Sequence, residues 1–369
     1  MVLTGLLIGF LFGFVVHRGG LVRYSRIVGS FLLRDLKAIN FMFYGMSVAG
    51  LLYAISYFTG MGVNPRTNGY FGYGHVVGGV IFGFGLSLSG FCPGACIARF
   101  SSGKMVTAIG IIGMIMGVVV YDLFYPFWSS LGGKQQFITW MDITGLSYGT
   151  LALIFAFTFT TIAIILHRID PSRKFDEKEQ QKPFWQREWG WMFTGTIAGA
   201  LIFSATAFGG YISFSSGFLT LTGHTADLFG IKMQSLPNLN DDTLWRALLM
   251  LGVFPGAFVS AKISRTFKNV PTTPMFDQAT GGATGHSRRW LRMLFAFTGG
   301  FMTLLGAQIG GGCTTGSFMS GWPTLSVGNF LMGSTFFLAG MVGAHLVYFK
   351  QWSIIFAVKE RFNLSLAND

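Results

Sequence analysis

Residues 74–121 read GHVVGGVIFGFGLSLSGFCPGACIARFSSGKMVTAIGIIGMIMGVVVY, and their pattern recurs along the chain. An apolar run enters, small residues around Cys92 interrupt it, and a second apolar run leaves. In a lipid bilayer such a break must lie inside protein or line a cavity, because bare backbone amides cannot face hydrocarbon. The segment therefore predicts two membrane helices joined by an interrupted stretch that protein encloses.

The cysteine-centred pattern is repeated near the end of the chain. A shift of 221 positions places Cys92 on Cys313, and it also aligns four glycines: Gly78, Gly79, Gly85 and Gly90 fall on Gly299, Gly300, Gly306 and Gly311. Two of the three cysteines therefore occupy equivalent positions in two copies of one unit.

A second shift extends the repeat to the beginning of the chain. At 190 positions it aligns small residues of the first apolar run with those of a later one: Thr4, Gly5 and Gly9 fall on Thr194, Gly195 and Gly199. Together the shifts predict four related breaks, centred near Val22, Cys92, Ile212 and Cys313. Inverted repeats with broken helices are typical of transporters and channels whose path lies between the halves.

Composition places the chain in a membrane. Hydrophobic residues make up 51% and charged residues 11%, and the mean hydropathy is +0.54, which excludes a soluble domain of 369 residues. We predict an all-α polytopic membrane protein with nine transmembrane helices in two inverted repeats and four inward-penetrating loops, using about 20 apolar residues per span. The predicted spans lie near 2–16, 41–58, 75–91, 105–121, 145–166, 191–207, 244–260, 291–310 and 328–349.

Lys and Arg are divided very unevenly between two sets of loops. Segments 17–40, 92–104, 167–190, 261–292 and the tail from 350 hold 22 of the 26, and the remaining four are Arg66, Lys134, Lys232 and Arg246. An excess of Lys and Arg marks the cytoplasmic side. We therefore predict a bacterial-type inner (plasma) membrane protein with its amino terminus outside and its carboxyl terminus in the cytoplasm. The net charge of +12 is explained by this topology and predicts no nucleic-acid partner.

The repeats divide the chain into four predicted segments. Residues 1–121 form the first repeat half, and residues 191–349 form the second, which is inverted because a single crossing separates the two. Residues 122–190 contain the fifth span and a charged cytoplasmic loop at 167–190, which we interpret as a solvated linker. Residues 350–369 form a cytoplasmic tail.

The breaks supply the predicted substrate-binding residues. Unpaired N–H groups at a helix start favour anions, and glycine lets backbone approach a ligand closely. Hydroxyl groups add donors, and a thiol adds a weak S–H donor that suits a polarizable sulphur partner. The predicted set contains Cys92, Cys313, Cys96, Arg99, Gly90, Gly94, Gly311, Gly312, Thr314 and Thr315.

Several of these residues also have a purely structural interpretation. Cysteine is among the most buried residue types, although two cysteines at equivalent breaks favour function. Cys96 lies one helical turn after Cys92 and its repeat counterpart is Ser317, so packing and an accessory role both stay open. Arg99 is compatible with a charge near the inner mouth and with an ordinary topology charge.

Three stretches resemble the motifs of the YeeE/YedE family of membrane sulphur transporters: GFCPGACIARFSSGK at 90–104, GAQIGGGCTTGSFMSG at 306–321 and VVHRGGLVRYS at 15–25. The resemblance covers essentially the whole chain and implies uptake of thiosulfate or a related small sulphur-containing anion. It also implies that cysteine thiols pass the substrate along by S–H hydrogen bonds, and Cys92 and Cys313 match two of those cysteines. The family's first motif commonly carries another cysteine where this chain has Val22, so another sulphur compound or a selenium compound stays open.

Other classes of function stay open beside transport by a carrier. A membrane thiol redox or sulphur-relay protein is suggested by Cys92 and Cys96, but their spacing on one helix is awkward for a disulfide, whose Cβ atoms lie about 3.5–4.5 Å apart. A passive channel would share the same architecture. We predict no enzyme, no metal and no cofactor. The expected partners are the anion, the lipid bilayer and a cytoplasmic sulphur-accepting protein.

The charge distribution predicts the side of the membrane on which each loop lies. A reporter that is active only outside the cytoplasm should give signal when fused within loop 122–144 and none when fused within loop 167–190. The opposite pattern of reporter activity would reverse the predicted orientation.

Overall fold

The computed structural model describes residues 2–70, 72–131, 136–172, 182–236, 238–268, 276 and 286–348. Seven helices in these ranges are long and apolar enough to cross a membrane, and two further apolar helices, Val2–Arg18 and Trp191–Ala207, are shorter. The predicted class, an all-α polytopic membrane protein, is confirmed. The predicted tail at 350–369 lies outside the described residues.

Fourteen α-helices are numbered along the described chain. They are α1 (Val2–Arg18), α2 (Tyr24–Phe31), α3 (Lys37–Thr59), α4 (Tyr73–Ser89), α5 (Pro93–Ser101), α6 (Val106–Leu123), α7 (Tyr125–Leu131), α8 (Trp140–Thr144), α9 (Tyr148–Ile169), α10 (Trp191–Ala207), α11 (Phe214–Leu228), α12 (Asp241–Ile263), α13 (His286–Ile309) and α14 (Val327–Val347). A π-helix spans Thr314–Ser320, and a 3-10 helix spans Trp322–Thr324. Each predicted span coincides with one long helix, and the ends differ by five residues or fewer.

Each predicted break is a short non-helical stretch that leads into a further helix. The stretches follow α1, α4, α10 and α13, and they lead into α2, α5, α11 and the π-helix. A glycine with φ between +68° and +77° lies in each of them: Gly20, Gly90, Gly209 and Gly311. This left-handed conformation strains any residue that carries a Cβ. The glycine repeat in the sequence is therefore a repeat of helix ends.

The long helices pack in pairs that follow the sequence repeat. α1 lies along α12 and α3 lies along α10, while α4 packs on α14 and α6 packs on α13. The repeat counterparts are α1 and α10, α3 and α12, α4 and α13, and α6 and α14. Exchanging each helix for its counterpart leaves this set of pairs unchanged. The contact between α4 and α13 maps onto itself, and α9, which has no counterpart, packs on α3.

Glycines permit the closest contacts between these helices. Gly9 of α1 lies against the backbone of Leu249 in α12, and Gly256 of α12 lies in turn against the backbone of Phe10. Lipid supplies little hydrophobic drive for helix association, so close van der Waals contact through small residues stabilises such pairs.

The loop before α10 is partly buried and partly exposed. In its described parts Asp170, Ser172 and Trp189 are buried, whereas residues 182–185 are exposed, so the prediction of a solvated linker describes only part of the loop. Asp170 accepts a hydrogen bond from the Leu36 backbone N–H at 3.2 Å. Residues 173–181 lie outside the described ranges. The charged composition of the loop reflects ionic contacts inside the protein as well as exposure to water.

Replacing Gly256 by Ala tests the glycine contacts between α1 and α12. The added Cβ would overlap the Phe10 carbonyl group, and overpacking of this kind costs about 1–3 kcal/mol. Ala gains roughly 1 kcal/mol in helix propensity over Gly, which offsets part of that cost. We expect the melting temperature of the detergent-purified protein to fall by several degrees.

Gly190→Ala is the matched control, because a Cβ at Gly190 meets nothing within 4 Å and its φ is −64°. Gly190 is the N-cap of α10, where Ala is somewhat less favourable than Gly, so the melting temperature of this control should fall by less than that of Gly256→Ala. A Gly256→Ala variant as stable as this control would contradict the packing role of the glycine.

Candidate functional site

The four breaks converge on one internal cavity of about 80 Å³, here called the thiol cavity. Leu21 borders it from the first break and Cys92 from the second. Phe214, the first residue of α11, borders it next to the third break, and Thr314 and Thr315 line it directly after the fourth. The fold therefore brings the interruptions of both repeats to one place.

The walls of the thiol cavity are mainly apolar, and they are uncharged. Six phenylalanines line it: Phe12, Phe31, Phe41, Phe214, Phe336 and Phe337. The described lining includes the polar side chains of Ser30, Cys92, Thr314 and Thr315, and it includes no Asp, Glu, Lys, Arg or His. Ser30 already donates to the Arg26 and Asp35 carbonyl oxygens. In the described ranges no three His, Cys, Asp or Glu residues cluster to hold a metal. Cys92 and the two threonines are thus the groups available to orient a ligand.

Cys92 stands at the start of α5 because the chain turns sharply just before it. Gly90 ends α4 in the left-handed region, and Cys92 is extended, with φ −85° and ψ 167°. Pro93 follows in the first helical turn, where a missing N–H costs nothing. Cys92 is partly exposed, and its thiol is free. The thiol that lines the cavity therefore lies at a helix amino terminus, which is a favourable place for an anion.

Cys313 occupies the equivalent place in the second repeat. It is extended at the start of the π-helix, and its sulphur accepts a hydrogen bond from the Gly316 N–H at 3.4 Å. Only 1% of Cys313 is exposed, and the two residues that follow it, Thr314 and Thr315, line the thiol cavity. Of the two repeat-equivalent cysteines, Cys92 therefore lines the cavity, and Cys313 directly precedes two residues that line it.

Two hydroxyl groups of the fourth break lack partners. Thr314 Oγ1 and Ser317 Oγ are buried and have no hydrogen-bond partner within the described residues. Leaving a buried polar group unpaired costs about 1–3 kcal/mol. Thr314 borders the thiol cavity, and a ligand acceptor atom that reached its Oγ1 would offset this cost.

The predicted glycines have different roles at the breaks. Gly94 lines the thiol cavity, and its missing side chain leaves room for the Phe214 ring. Gly90 and Gly311 end helices with positive φ, and Gly312 makes room for the Ser317 side chain. Gly94 is therefore the glycine of the predicted set that borders the cavity, while the others shape the turns.

Cys96 and Arg99 lie away from the thiol cavity. Cys96 is fully buried, and its thiol donates to the Thr107 carbonyl oxygen at 3.5 Å, which joins α5 to α6. Arg99, further along α5, donates to the Val22 carbonyl oxygen at 3.2 Å and borders a second cavity. The structure therefore divides the predicted set between the thiol cavity, the helix ends and this second space.

The second cavity, here called the inner cavity, measures about 200 Å³ and is rich in cationic side chains. Six of its lining residues carry a positive charge: Arg18, Arg23, Arg99, Lys104, Lys182 and Arg187. These residues belong to segments predicted to face the cytoplasm. Leu21 borders the thiol cavity and its neighbour Val22 borders the inner cavity, so the first break lies between the two spaces.

Among the described residues that line the inner cavity, Glu188 is the acidic one. It pairs with Arg23 at 2.6 Å, Arg26 at 3.0 Å and Lys37 at 3.1 Å. Burial by itself would raise the pKa of Glu188, but Lys37, Arg23 and Arg26 outweigh that effect and hold the pKa well below its usual range. The ionised carboxylate therefore ties the loop before α10 to α2 and to the start of α3.

Arg292 is a buried charge that sequence analysis assigned to topology. It is 2% exposed, its Nη2 donates to the Ser89 carbonyl oxygen at 2.9 Å, and its guanidinium lies 4.3 Å from the centroid of the Tyr24 ring. It thereby holds the end of α4 directly before the Cys92 break. An arginine at the amino end of an apolar helix matches the pattern of a topology charge, so no separate signal in the sequence indicated this role.

A polar network holds the π-helix that follows Cys313. The Tyr211 hydroxyl donates to the Gly316 carbonyl oxygen, and Asn68 Nδ2 donates to the Tyr211 hydroxyl at 3.0 Å and to Asn329 Oδ1 at 3.1 Å. Asn329 donates in turn to the Gly321 carbonyl oxygen at 3.1 Å. Sequence analysis singled out none of these side chains, because they come from separate loops and helices that only the fold brings together.

Comparison with known proteins identifies the family. Residues 18–343 match the model of a family described as Sulphur transport, and this range includes all four breaks. The chain is 25% identical over 360 residues to a protein of Spirochaeta thermophila named Thiosulfate transporter TsuA, covering 92% of this chain and 97% of that protein. It is 25% identical over 332 residues to a protein of the same name from Escherichia coli, covering 86% of each. The chain therefore belongs to the Sulphur transport (YeeE/YedE) family, and it is a membrane transporter and not an enzyme.

Proposed function

We propose that this protein takes up thiosulfate or a closely related small sulphur-containing anion, and that Cys92 and Cys313 contact it along a central pathway. The observation that carries the proposal is that Cys92 and Thr314 both line the thiol cavity, and that the Thr314 hydroxyl has no partner within the described residues. The names of the two relatives support thiosulfate as the substrate.

The donors of the thiol cavity suit the two ends of such an anion. Thiosulfate has a soft terminal sulphur and harder oxygen atoms. A thiol is a weak donor that suits polarizable sulphur, whereas the Thr314 hydroxyl suits an oxygen. The phenylalanine walls exclude water and lower the local dielectric, which strengthens each hydrogen bond. Because few donors and no fixed charge hold the anion, it binds weakly enough to be released.

The substrate enters from outside and meets Cys313 before Cys92. Cys313 is buried and is not among the residues that line the thiol cavity, so contact with its sulphur requires a small opening of the π-helix. Single π-helical turns are uncommon and occur frequently at functional sites. This segment can therefore expose the thiol with a local change in backbone hydrogen bonding.

The pathway runs between two inverted halves, residues 1–121 and 191–349. Helix pairs that are unchanged when the halves are exchanged support this division. The protein lies in the inner membrane with its amino terminus outside, as the distribution of Lys and Arg predicts. A cytoplasmic sulphur-accepting protein is the predicted recipient of the substrate.

A thiol redox or sulphur-relay function has less support. Cys96, which would pair with Cys92, donates to the Thr107 carbonyl oxygen and does not border the thiol cavity. All three cysteines are free. A selenium compound with the same soft character fits the cavity chemistry, and substrate competition would separate it from thiosulfate.

Cys92→Ala and Cys313→Ala should each reduce uptake severely, by tenfold or more, because each removes a soft donor from the pathway. The measurement is radiolabelled thiosulfate uptake in cells that lack their own sulphur uptake systems, with the amount of each variant in the membrane determined in parallel. Sulfate and a selenium analogue serve as competing substrates.

Ser replacements at the same two positions separate two kinds of contact. Ser keeps a hydroxyl donor and loses the sulphur, so near-complete function in the Ser variants would indicate ordinary hydrogen bonding. Wild-type rates in both Ala variants would show that the thiols only fill space.

Cys96→Ser should leave uptake within about twofold of the parent, because Ser is already present at the counterpart Ser317 and its hydroxyl can donate to the Thr107 carbonyl oxygen.

Thr314→Val has nearly the same shape but no hydroxyl, and it should weaken uptake while raising or preserving the melting temperature. A Cys96→Ser variant without activity, or a Thr314→Val variant with full activity, would reverse this assignment of roles.

A further inference from the structure

Two hydrogen bonds between breaks occupy equivalent places in the two repeats. Arg99 Nη1 donates to the Val22 carbonyl oxygen at 3.2 Å, here called the first tie, and Ser320 Oγ donates to the Ile212 carbonyl oxygen at 3.0 Å, here called the second tie. The two donors are 221 positions apart, which is the shift that aligns the cysteines of the breaks. The two acceptors are 190 positions apart, which is the shift that aligns the starts of the halves. The ties are therefore counterparts under the repeat.

The ties share their position although their donors differ in chemistry. Each donor lies seven residues after the cysteine of its own break, and each acceptor is a backbone carbonyl at the centre of the neighbouring break. Val22 and Ile212 are both buried, and a buried carbonyl group that loses its donor is unfavourable. Each tie thus fastens a cysteine-bearing segment to the break beside it in the same half.

Further contacts with the third break hold the segment that carries the second tie. The Tyr211 hydroxyl donates to the Gly316 carbonyl oxygen, and a Cβ at Gly316 would meet Ser213 Oγ. The Gly316 N–H donates in turn to the Cys313 sulphur at 3.4 Å. The third break therefore holds the backbone of Gly316, which itself holds the buried thiol of Cys313.

We propose that Ser320 is a positioning residue for Cys313, because the second tie keeps the π-helix closed against the third break and its release exposes the Cys313 thiol. Arg99 holds α5 against the first break in the equivalent way, on the side of Cys92. That transport needs an exposed Cys313 rests on the proposed function. The control of this exposure by the second tie does not depend on it.

The two ties can open separately, because they join different pairs of breaks. The first tie joins the first and second breaks, and the second tie joins the third and fourth. In a transporter built from inverted repeats, the path opens towards one side while the other side stays closed. Two equivalent hydrogen bonds, one in each half, supply such a pair of closures.

The test is the rate at which each cysteine of the detergent-purified full-length protein reacts with N-ethylmaleimide in the absence of substrate, followed by mass spectrometry of the separate cysteine peptides. Ser320→Ala should raise the Cys313 rate about fivefold or more, the population change expected for the loss of one hydrogen bond. Tyr211→Phe, which is nearly isosteric, should also raise it, because the Gly316 carbonyl oxygen loses its donor.

Ser317→Ala is the matched control, because it makes the same substitution in the same π-helix. Ser317 is as buried as Ser320, and its Oγ has no partner within the described residues. The Cys313 rate of this variant should stay within about twofold of the parent rate. Cys96, which is fully buried between α5 and α6, reports general loosening, and its rate should not change in the Ser320 and Tyr211 variants.

An Arg99→Met variant tests the independence of the two ties. It should raise the Cys92 rate, because the first break borders the thiol cavity through Leu21, and it should leave the Cys313 rate within about twofold of the parent rate. An increase in the Cys313 rate as large as that of Ser320→Ala would contradict separate ties.

The outcomes separate the second tie from the proposed function. A Ser320→Ala variant whose Cys313 reacts like that of Ser317→Ala would overturn the tie. Should Ser320→Ala raise the Cys96 rate as well, Tyr211→Phe decides, and a Cys96 increase in both would show that these bonds stabilise the whole fold and would overturn the positioning role. A tie-dependent Cys313 rate in a protein that transports no sulphur compound would retain the tie and overturn the proposed function. Cysteine-dependent uptake with a tie-independent rate would do the reverse.

Discussion

The need to satisfy backbone amides in a bilayer governs this structure. A helix that stops part-way across hydrocarbon must bury its free N–H and C=O groups in protein, and this chain contains four such interruptions. Close helix pairs built on glycine surround them, as the contact of Gly9 with Leu249 illustrates. The same constraint that forces the breaks inside also places them together. The thiol cavity is the space left where they meet.

The polar groups around the breaks divide into those that hold the backbone and those that remain for a ligand. Arg292 binds the Ser89 carbonyl oxygen before the second break, and Tyr211 binds the Gly316 carbonyl oxygen after the fourth. Thr314, by contrast, lines the cavity with no partner for its hydroxyl among the described residues. A rigid, well-bonded scaffold thus presents a small number of unused donors, which is the arrangement that lets weak contacts select a substrate.

Sequence analysis predicted the spans and breaks well, because hydropathy and glycine repeats directly record the bilayer constraint. It placed Cys92 and Cys313 at equivalent breaks, and the fold places Cys92 on the thiol cavity and Cys313 directly before two residues that line it. It did not separate Cys92, which lines the cavity, from Cys96, which points to Thr107, because one helical turn between them does not define which faces are covered. It also treated Arg18 as a topology charge. Pattern gives the number and side of the cations, whereas their burial and partners depend on contacts with loops far away in sequence.

Val22 shows how the two kinds of chemistry meet in this chain. Its position in the first break commonly carries a cysteine in the family that the motif resembles. Here the side chain is apolar, the Val22 carbonyl oxygen accepts a hydrogen bond from Arg99, and the residue borders the inner cavity. A thiol at this position would extend the soft pathway by one step towards the cytoplasmic side. Without it, the proposed series of thiol contacts ends at Cys92, at the start of α5. The first break, whose Leu21 borders the thiol cavity and whose Val22 borders the inner cavity, then offers a substrate apolar side chains in place of a third thiol.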